Sequence, residues 1–108
     1  MRSWIIILPN LSANAMAIFP FIILKNKAQK QDLVLINHEQ IHLQQQLELL
    51  VLPFYLLYLL NYLINLVRYK NHYLAYFNIS FEKEAYHFEK DLNYLSIRKW
   101  YSWIKFLR

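Results

Sequence analysis

Asn37-His38-Glu39-Gln40-Ile41-His42 stands inside an unbroken helical pattern that opens just after Asp32. Residues four apart share one helix face, so the imidazoles of His38 and His42 can bind a single metal ion. Glu39 lies about 100° round the helix from His38 and can act as general base toward a water on that ion. With this chain's composition the pattern arises by chance in roughly 0.7% of sequences. The alternative is an ordinary polar helix face carrying two satisfied histidines.

A zinc site needs a third protein ligand. One known solution turns the chain back through a glycine three residues after the second histidine, but Gln45 occupies that position. On a continuous helix Glu48 lies about 15 Å along the axis from His38, too far to share its metal. The other solution takes a carboxylate from a second helix. Phe81-Glu82-Lys83-Glu84-Ala85-Tyr86 offers two, Glu82 and Glu84, near the start of a helix whose N-terminus favours ionised acids. His72 and His87 are isolated in the sequence and read as ordinary histidines.

Composition narrows the chemistry further. The 108 residues contain no glycine and no cysteine, which excludes Gly-rich phosphate loops, disulfides, thiol catalysis and cysteine metal sites. The chain is 57% hydrophobic and carries 12 basic and 7 acidic residues, net +5. It has the length of one small domain, residues 1–108, with ample core material. The basic residues are spread out and form no nucleic-acid patch, so no nucleic-acid partner is expected.

Working outward from the motif, residues 4–8 read as a short strand ending at Pro9-Asn10. The same letters, with Ala13-Asn14-Ala15, imitate a secretory leader, but the apolar run is too short for one. A second strand is expected over residues 17–24, at a sheet edge because Pro20 cannot donate to a ladder. Asp32 is placed as the N-cap or first-turn acid of the motif helix. From residue 33 to about 69 the only turn signal is Pro53, which divides two helices or kinks one. Leu56, Leu57, Leu59, Leu60, Leu63, Ile64, Leu66 and Val67 share one arc of the second half. Tyr55, Tyr58, Asn61, Tyr62, Asn65, Arg68, Tyr69 and His72 share the other.

Residues 49–67 are uncharged and reach membrane-spanning length. A single span, an interfacial helix and a helix packed on the core all fit this composition. Residues 71–78 read as a connector, and a last helix is expected from Ser80, as N-cap, past Leu95. Its inward stripe would be Phe81, Ala85, Phe88, Leu92 and Leu95. The basic, aromatic tail of residues 98–108 suits either a membrane interface or docking on its own domain.

HExxH followed by a glutamate-bearing helix resembles the gluzincin metallopeptidases, the thermolysin-related clan. In these the second helix reads Glu-x-x-(small)-Asp. Glu82 with Ala85 fits the ligand and small positions, whereas Tyr86 stands where the Asp that supports a histidine belongs. The run from residue 35 through Glu48, together with Glu82 to Tyr86, is also similar to small bacterial zincin-like proteins, and the length is similar to minimal gluzincins. The likeness covers about half the chain.

The resemblance implies an α+β, mostly helical fold, with short N-terminal strands packed on an active-site helix and a glutamate-bearing helix. It implies Zn²⁺ held by His38, His42 and Glu82, with Glu84 as the fallback ligand. It implies a metallopeptidase that hydrolyses peptide or protein substrates through a zinc-bound water, with Glu39 as the catalytic base. Tyr76 and Tyr86 are candidates to steady the oxyanion, and the edge strand over residues 17–24 would pair with an extended substrate. The alternative is a non-catalytic zinc-binding or membrane-associated interaction protein, its zinc closed by a fourth ligand such as Glu84 or His72. The expected location is cytoplasmic, with membrane contact through residues 49–67 and 98–108.

Overall fold

The computed structural model describes residues 4–107. Three short strands, β1 (Trp4–Ile7), β2 (Ala15–Ile18) and β3 (Phe21–Leu24), form a sheet of order β1-β3-β2. β3 pairs parallel with β1 and antiparallel with β2. Five helices follow: α1 (Leu33–Glu48), α2 (Leu52–Tyr69), α3 (His72–Phe77), α4 (Ser80–Phe88) and α5 (Tyr94–Ile97). Residues Lys27–Gln31 and Ser102–Phe106 form single 3₁₀ turns. The fold is α+β and mostly helical, with the small sheet packed on α1.

The strand expected over residues 17–24 is instead a hairpin. Phe19 and Pro20 make its turn, so residues 21–24 become the central strand and only 15–18 lie at an edge. Pro20 needs no ladder donor at a turn. One face of the sheet buries Ala17, Ile22 and Leu24 against Leu43 of α1, with Leu35 and Ile36 packed beside them. Gln46 fastens the hairpin to α1: its Nε2 donates to Ala17 O (2.8 Å), and its Oε1 accepts from Phe19 N (2.7 Å).

Asp32 caps α1, its side chain accepting from Leu35 N at 3.1 Å. The pattern from 33 to 69 is two helices rather than one, turned through 112°. The break lies at Leu50 and Val51, both with positive φ, and Pro53 sits in the first turn of α2, where its missing N–H is harmless. Residues 49–51 therefore belong to a bend. Among the described residues no single helix is long and apolar enough to cross a membrane.

α2 is mounted with its polar side inward. Asn65 is buried and donates to Ala75 O (3.1 Å), Asn61 accepts from Ser80 N (2.9 Å), and Tyr62 bonds His72 (2.8 Å). Of the aliphatic arc only Leu66 is partly covered, and the rest is exposed.

Residues 71–78 hold a helix, not a plain connector. Asn71 caps α3 by accepting from Leu74 N (3.1 Å), and the six residues are too few for a period to show in the sequence. Ser80 is not an N-cap. It lies inside α4, its hydroxyl donating to Trp103 O and anchoring the C-terminal segment, while Ile79 holds the cap position.

The last helix does not run past Leu95 either, because it ends at Phe88. Asn37 Nδ2 donates to the carbonyls of Phe88, Glu89 and Asp91 at 3.3, 2.8 and 3.0 Å, so α1 holds the last carbonyl of α4 and the turn that follows it. With the helix stopped, Leu92 falls on the surface rather than in the expected stripe. Phe81 and Ala85 are buried, and Phe88 and Leu95 only half so.

Candidate metal centre

α1 and α4 bring the motif and its partner carboxylate together. His38 and His42 lie one turn apart on α1, and Glu82 comes from the first turn of α4, all three buried. Glu82 Oε1 stands 3.2 Å from His38 Nε2 and 3.0 Å from His42 Nε2. The ligand atoms of the three residues lie within 4.8 Å of one another, a group that could hold a metal ion. The spacings to Glu82 approach the edge of about 3.3 Å of a tetrahedron with bonds near 2.0 Å.

The surrounding hydrogen bonds fix how the histidines present themselves. Gln45 Nε2 donates to Phe81 O (3.1 Å) and Glu84 Oε1 (2.9 Å). Both are acceptors, so the amide's oxygen must face His42, where Oε1 lies 2.8 Å from Nδ1. That nitrogen therefore carries the proton and donates. His38 Nδ1 likewise donates to Glu89 Oε1 at 2.8 Å. With both Nδ1 atoms committed as donors, both Nε2 atoms face the Glu82 carboxylate. Three lone-pair atoms converging in this way require a cation between them, either protons on the imidazoles or a metal ion. The donor set suits zinc on chemistry alone.

Without metal, protons take that role. Burial pulls the His42 pKa down, but the charge and hydrogen bond of Glu82, with Glu39 and Gln45, outweigh it and lift it to about 9. Burial likewise raises Glu82, but His42 and His38 outweigh it and hold the carboxyl well below the usual carboxylate range. Glu39 is pushed up by burial, and the two histidines only partly oppose this.

Glu84 lies two residues along α4 in a different network. Its carboxylate accepts from Gln45, Tyr94 (2.6 Å) and Arg98, and Arg98 also pairs with Glu48. These ionic side chains are almost wholly buried. Arg98, read in the sequence as part of a basic surface tail, thus serves as an internal counter-ion. His72 bonds Tyr62 on the surface, and His87 packs on Phe88 and Phe106. Neither joins the group at Glu82.

A cleft of about 260 Å³ opens over the site between β2 and α2, with Met16, Phe54 and Tyr55 on its apolar side. A second lobe of about 340 Å³ adjoins it, where Asn14, Asp32 and Glu89 make a more polar wall. His38, Glu39 and Tyr76 line both lobes. Tyr76 and Tyr86 share a hydroxyl contact of 3.0 Å beside the site, and the Tyr86 ring lies 4.5 Å from that of His38.

Tyr58, seen in the sequence only as part of a tyrosine–asparagine stripe, donates to Glu82 Oε2 at 2.6 Å. Its own pKa is raised by burial and by that carboxylate. Glu89, outside the expected ligand set, follows α4 directly with helical backbone angles, and the packing of α4 on α1 brings it to His38. Compared with family models, with curated proteins and with solved structures, the chain matches none.

Proposed function

We propose that this chain is a zinc-dependent metallopeptidase-like hydrolase, with zinc held by His38, His42 and Glu82. One observation carries this reading: the three donors converge at the junction of a two-lobed cleft that Glu39 also lines. Bound zinc would supply an activated water and polarise a scissile carbonyl.

Glu39 takes the proton from the attacking water and returns it to the leaving amine. Burial raises its affinity for that proton and so suits it to the transfer. Tyr58 donates to Glu82 Oε2 and leaves Oε1 turned toward the histidines. The hydroxyl pair of Tyr76 and Tyr86 supplies a donor for the developing oxyanion. An extended substrate pairs with the outer edge of β2. Ala17 O is already taken there by Gln46 and Tyr55, which leaves Ala15, lining both lobes, as the pairing residue.

A catalytic zinc keeps an open position, whereas a structural one is closed by a fourth protein ligand. Glu84 and His72, the candidates for closure, are engaged with Arg98 and Tyr62, which favours catalysis over a purely structural zinc. The test is metal content by mass spectrometry on protein purified without added metal, joined to hydrolysis of a quenched fluorescent peptide mixture. About one zinc per chain, with hydrolysis lost and zinc kept in Glu39→Gln, is the expected result. No zinc, or equal hydrolysis by Glu39→Gln, overturns the reading.

A further inference from the structure

Leu52, Leu56, Leu59, Leu63 and Val67 form one stripe at spacings of three and four along the outside of α2, between 47% and 78% exposed. Helices of water-soluble domains are mounted the other way, with such a stripe inward. Here α2 spends its asparagines and tyrosines on inward hydrogen bonds, so nothing in the described fold covers its aliphatic side. A flanking groove of about 330 Å³ continues this surface: Leu57, Leu60 and Ile64 of α2 face Trp103 and Leu107 across it. The helix and the C-terminal segment therefore make one apolar surface rather than two.

The charge distribution points to the partner. Four of the seven acids, Glu39, Glu48, Glu82 and Glu84, are buried, and Glu89 is half-buried against His38. Only Asp32 and Asp91 are exposed, and each accepts from a nearby backbone N–H. Among the described residues eight lysines and arginines are exposed. Arg68 and Lys70 close one end of the aliphatic stripe, and Lys99 and Lys105 lie in the C-terminal segment beside exposed Trp100 and Tyr101.

An aliphatic face rimmed by cations and amphipathic aromatics, with its acids withdrawn into the interior, complements an anionic lipid surface. The same excess of exposed cations opposes pairing with a second copy of this chain. We propose that the outer face of α2, with the C-terminal segment, docks in the interface of an anionic lipid bilayer, with α2 lying along the membrane plane.

Tyr58 on the inner side of α2 bonds Glu82, so this docking sets the metal centre about one helix diameter, roughly 10 Å, from the lipid. If the proposed hydrolysis holds, its substrates are membrane-proximal polypeptide segments. The docking itself does not depend on that reaction.

Sedimentation of the full chain with vesicles tests it, using pure phosphatidylcholine against vesicles with about 30% phosphatidylglycerol. Partitioning onto the anionic vesicles should be at least about tenfold stronger and should weaken in high salt. Leu56→Gln with Leu63→Gln should weaken it about tenfold or more while circular dichroism stays that of the parent, since both side chains are exposed. Lys70→Gln with Lys99→Gln and Lys105→Gln should abolish the preference for anionic lipid. Equal partitioning onto both vesicles overturns the proposal, as does a leucine variant that binds like the parent. A dimer in sedimentation velocity that the leucine substitutions dissociate also overturns it, and assigns the face to a second copy.

Discussion

Glu89 Oε1 lies 2.8 Å from Nδ1 of His38, and Asn37, the residue before that histidine, donates to the carbonyls of Phe88 and Glu89, so two neighbouring residues of α1 hold the end of α4. A carboxylate in that position fixes the ring and raises the basicity of Nε2. Removing such a partner lowers metal affinity by about 10- to 100-fold. Glu89→Ala should therefore weaken zinc binding by that factor with little change in melting temperature of the metal-free protein. Competition against a chromophoric chelator reads the affinity, and an unchanged value would remove Glu89 from the site.

Glu82 and Glu84 stand two residues apart on α4 and should respond differently to truncation. Glu82→Ala deletes the oxygen that faces both imidazoles and should strip the zinc. Glu84→Ala should retain it, with affinity reduced only through the loosened Gln45, and should instead cost stability. It removes the acceptor shared by Gln45, Tyr94 and Arg98 while Arg98 keeps Glu48, and leaving buried donors unpaired in this way costs about 1–3 kcal/mol. Metal analysis and urea unfolding on the two variants separate these effects. Zinc lost from Glu84→Ala but kept in Glu82→Ala would move the ligand along the helix.

The metal-free protein should carry a pH signature of the same geometry. His42 has its pKa raised from 6.5 to about 9, so its contribution to stability is complete below about 6.5 and is lost as pH rises through 9. Glu82 is shifted the other way from 4.5, so its contribution is present above about 4.5 and is lost on acidification. Stability without metal should thus peak between about pH 5 and 6.5 and fall toward pH 9. Zinc must displace the proton on His42, so the stabilisation that zinc adds should grow over the same rise. Thermal melts with and without zinc at pH 6 and 9 check both slopes. A zinc increment independent of pH would contradict the assignment of His42.

The motif helix and its Asp32 cap follow from spacing and helix-end chemistry, which are local properties, whereas spacing alone left Glu82 and Glu84 open, and it is the packing of α4 on α1 that turns Glu82 to the histidines. Asn37 acting on the end of α4 is not local. Residues 80–95 keep a helical period that hides the local turn at Asp91 and Asn93, and the meeting of Glu89 with His38 depends on the packing of α4 on α1, which no local pattern carries. The polar–aliphatic division of α2 was equally plain in the letters, but its orientation was not. A wheel gives two faces and no direction, and here the inward face was chosen by hydrogen-bond partners in Ser80, His72 and Ala75. Arg98 sat in a basic tail by composition, and only the fold supplies Glu48 and Glu84 as its partners.

The absence of glycine leaves a mark on the backbone that can be tested without reference to function. Helix α2 ends at Lys70 in the left-handed region, φ 54° and ψ 32°, with its N–H donating to Leu66 O at 2.8 Å. Glycine is the usual residue at such a turn because it has no Cβ to crowd the carbonyl. Lysine there holds a strained conformation that the cap's hydrogen bond maintains. Lys70→Gly should relieve it and stabilise the fold by about 0.5–1 kcal/mol after the greater entropy of glycine in the unfolded chain is subtracted. For a domain of this size that is about 2–4 °C in melting temperature. Lys70→Ala keeps the Cβ and should give no such gain, so the pair isolates backbone strain from the loss of a surface charge. Equal melting temperatures for the two variants would show that the left-handed turn carries no measurable strain.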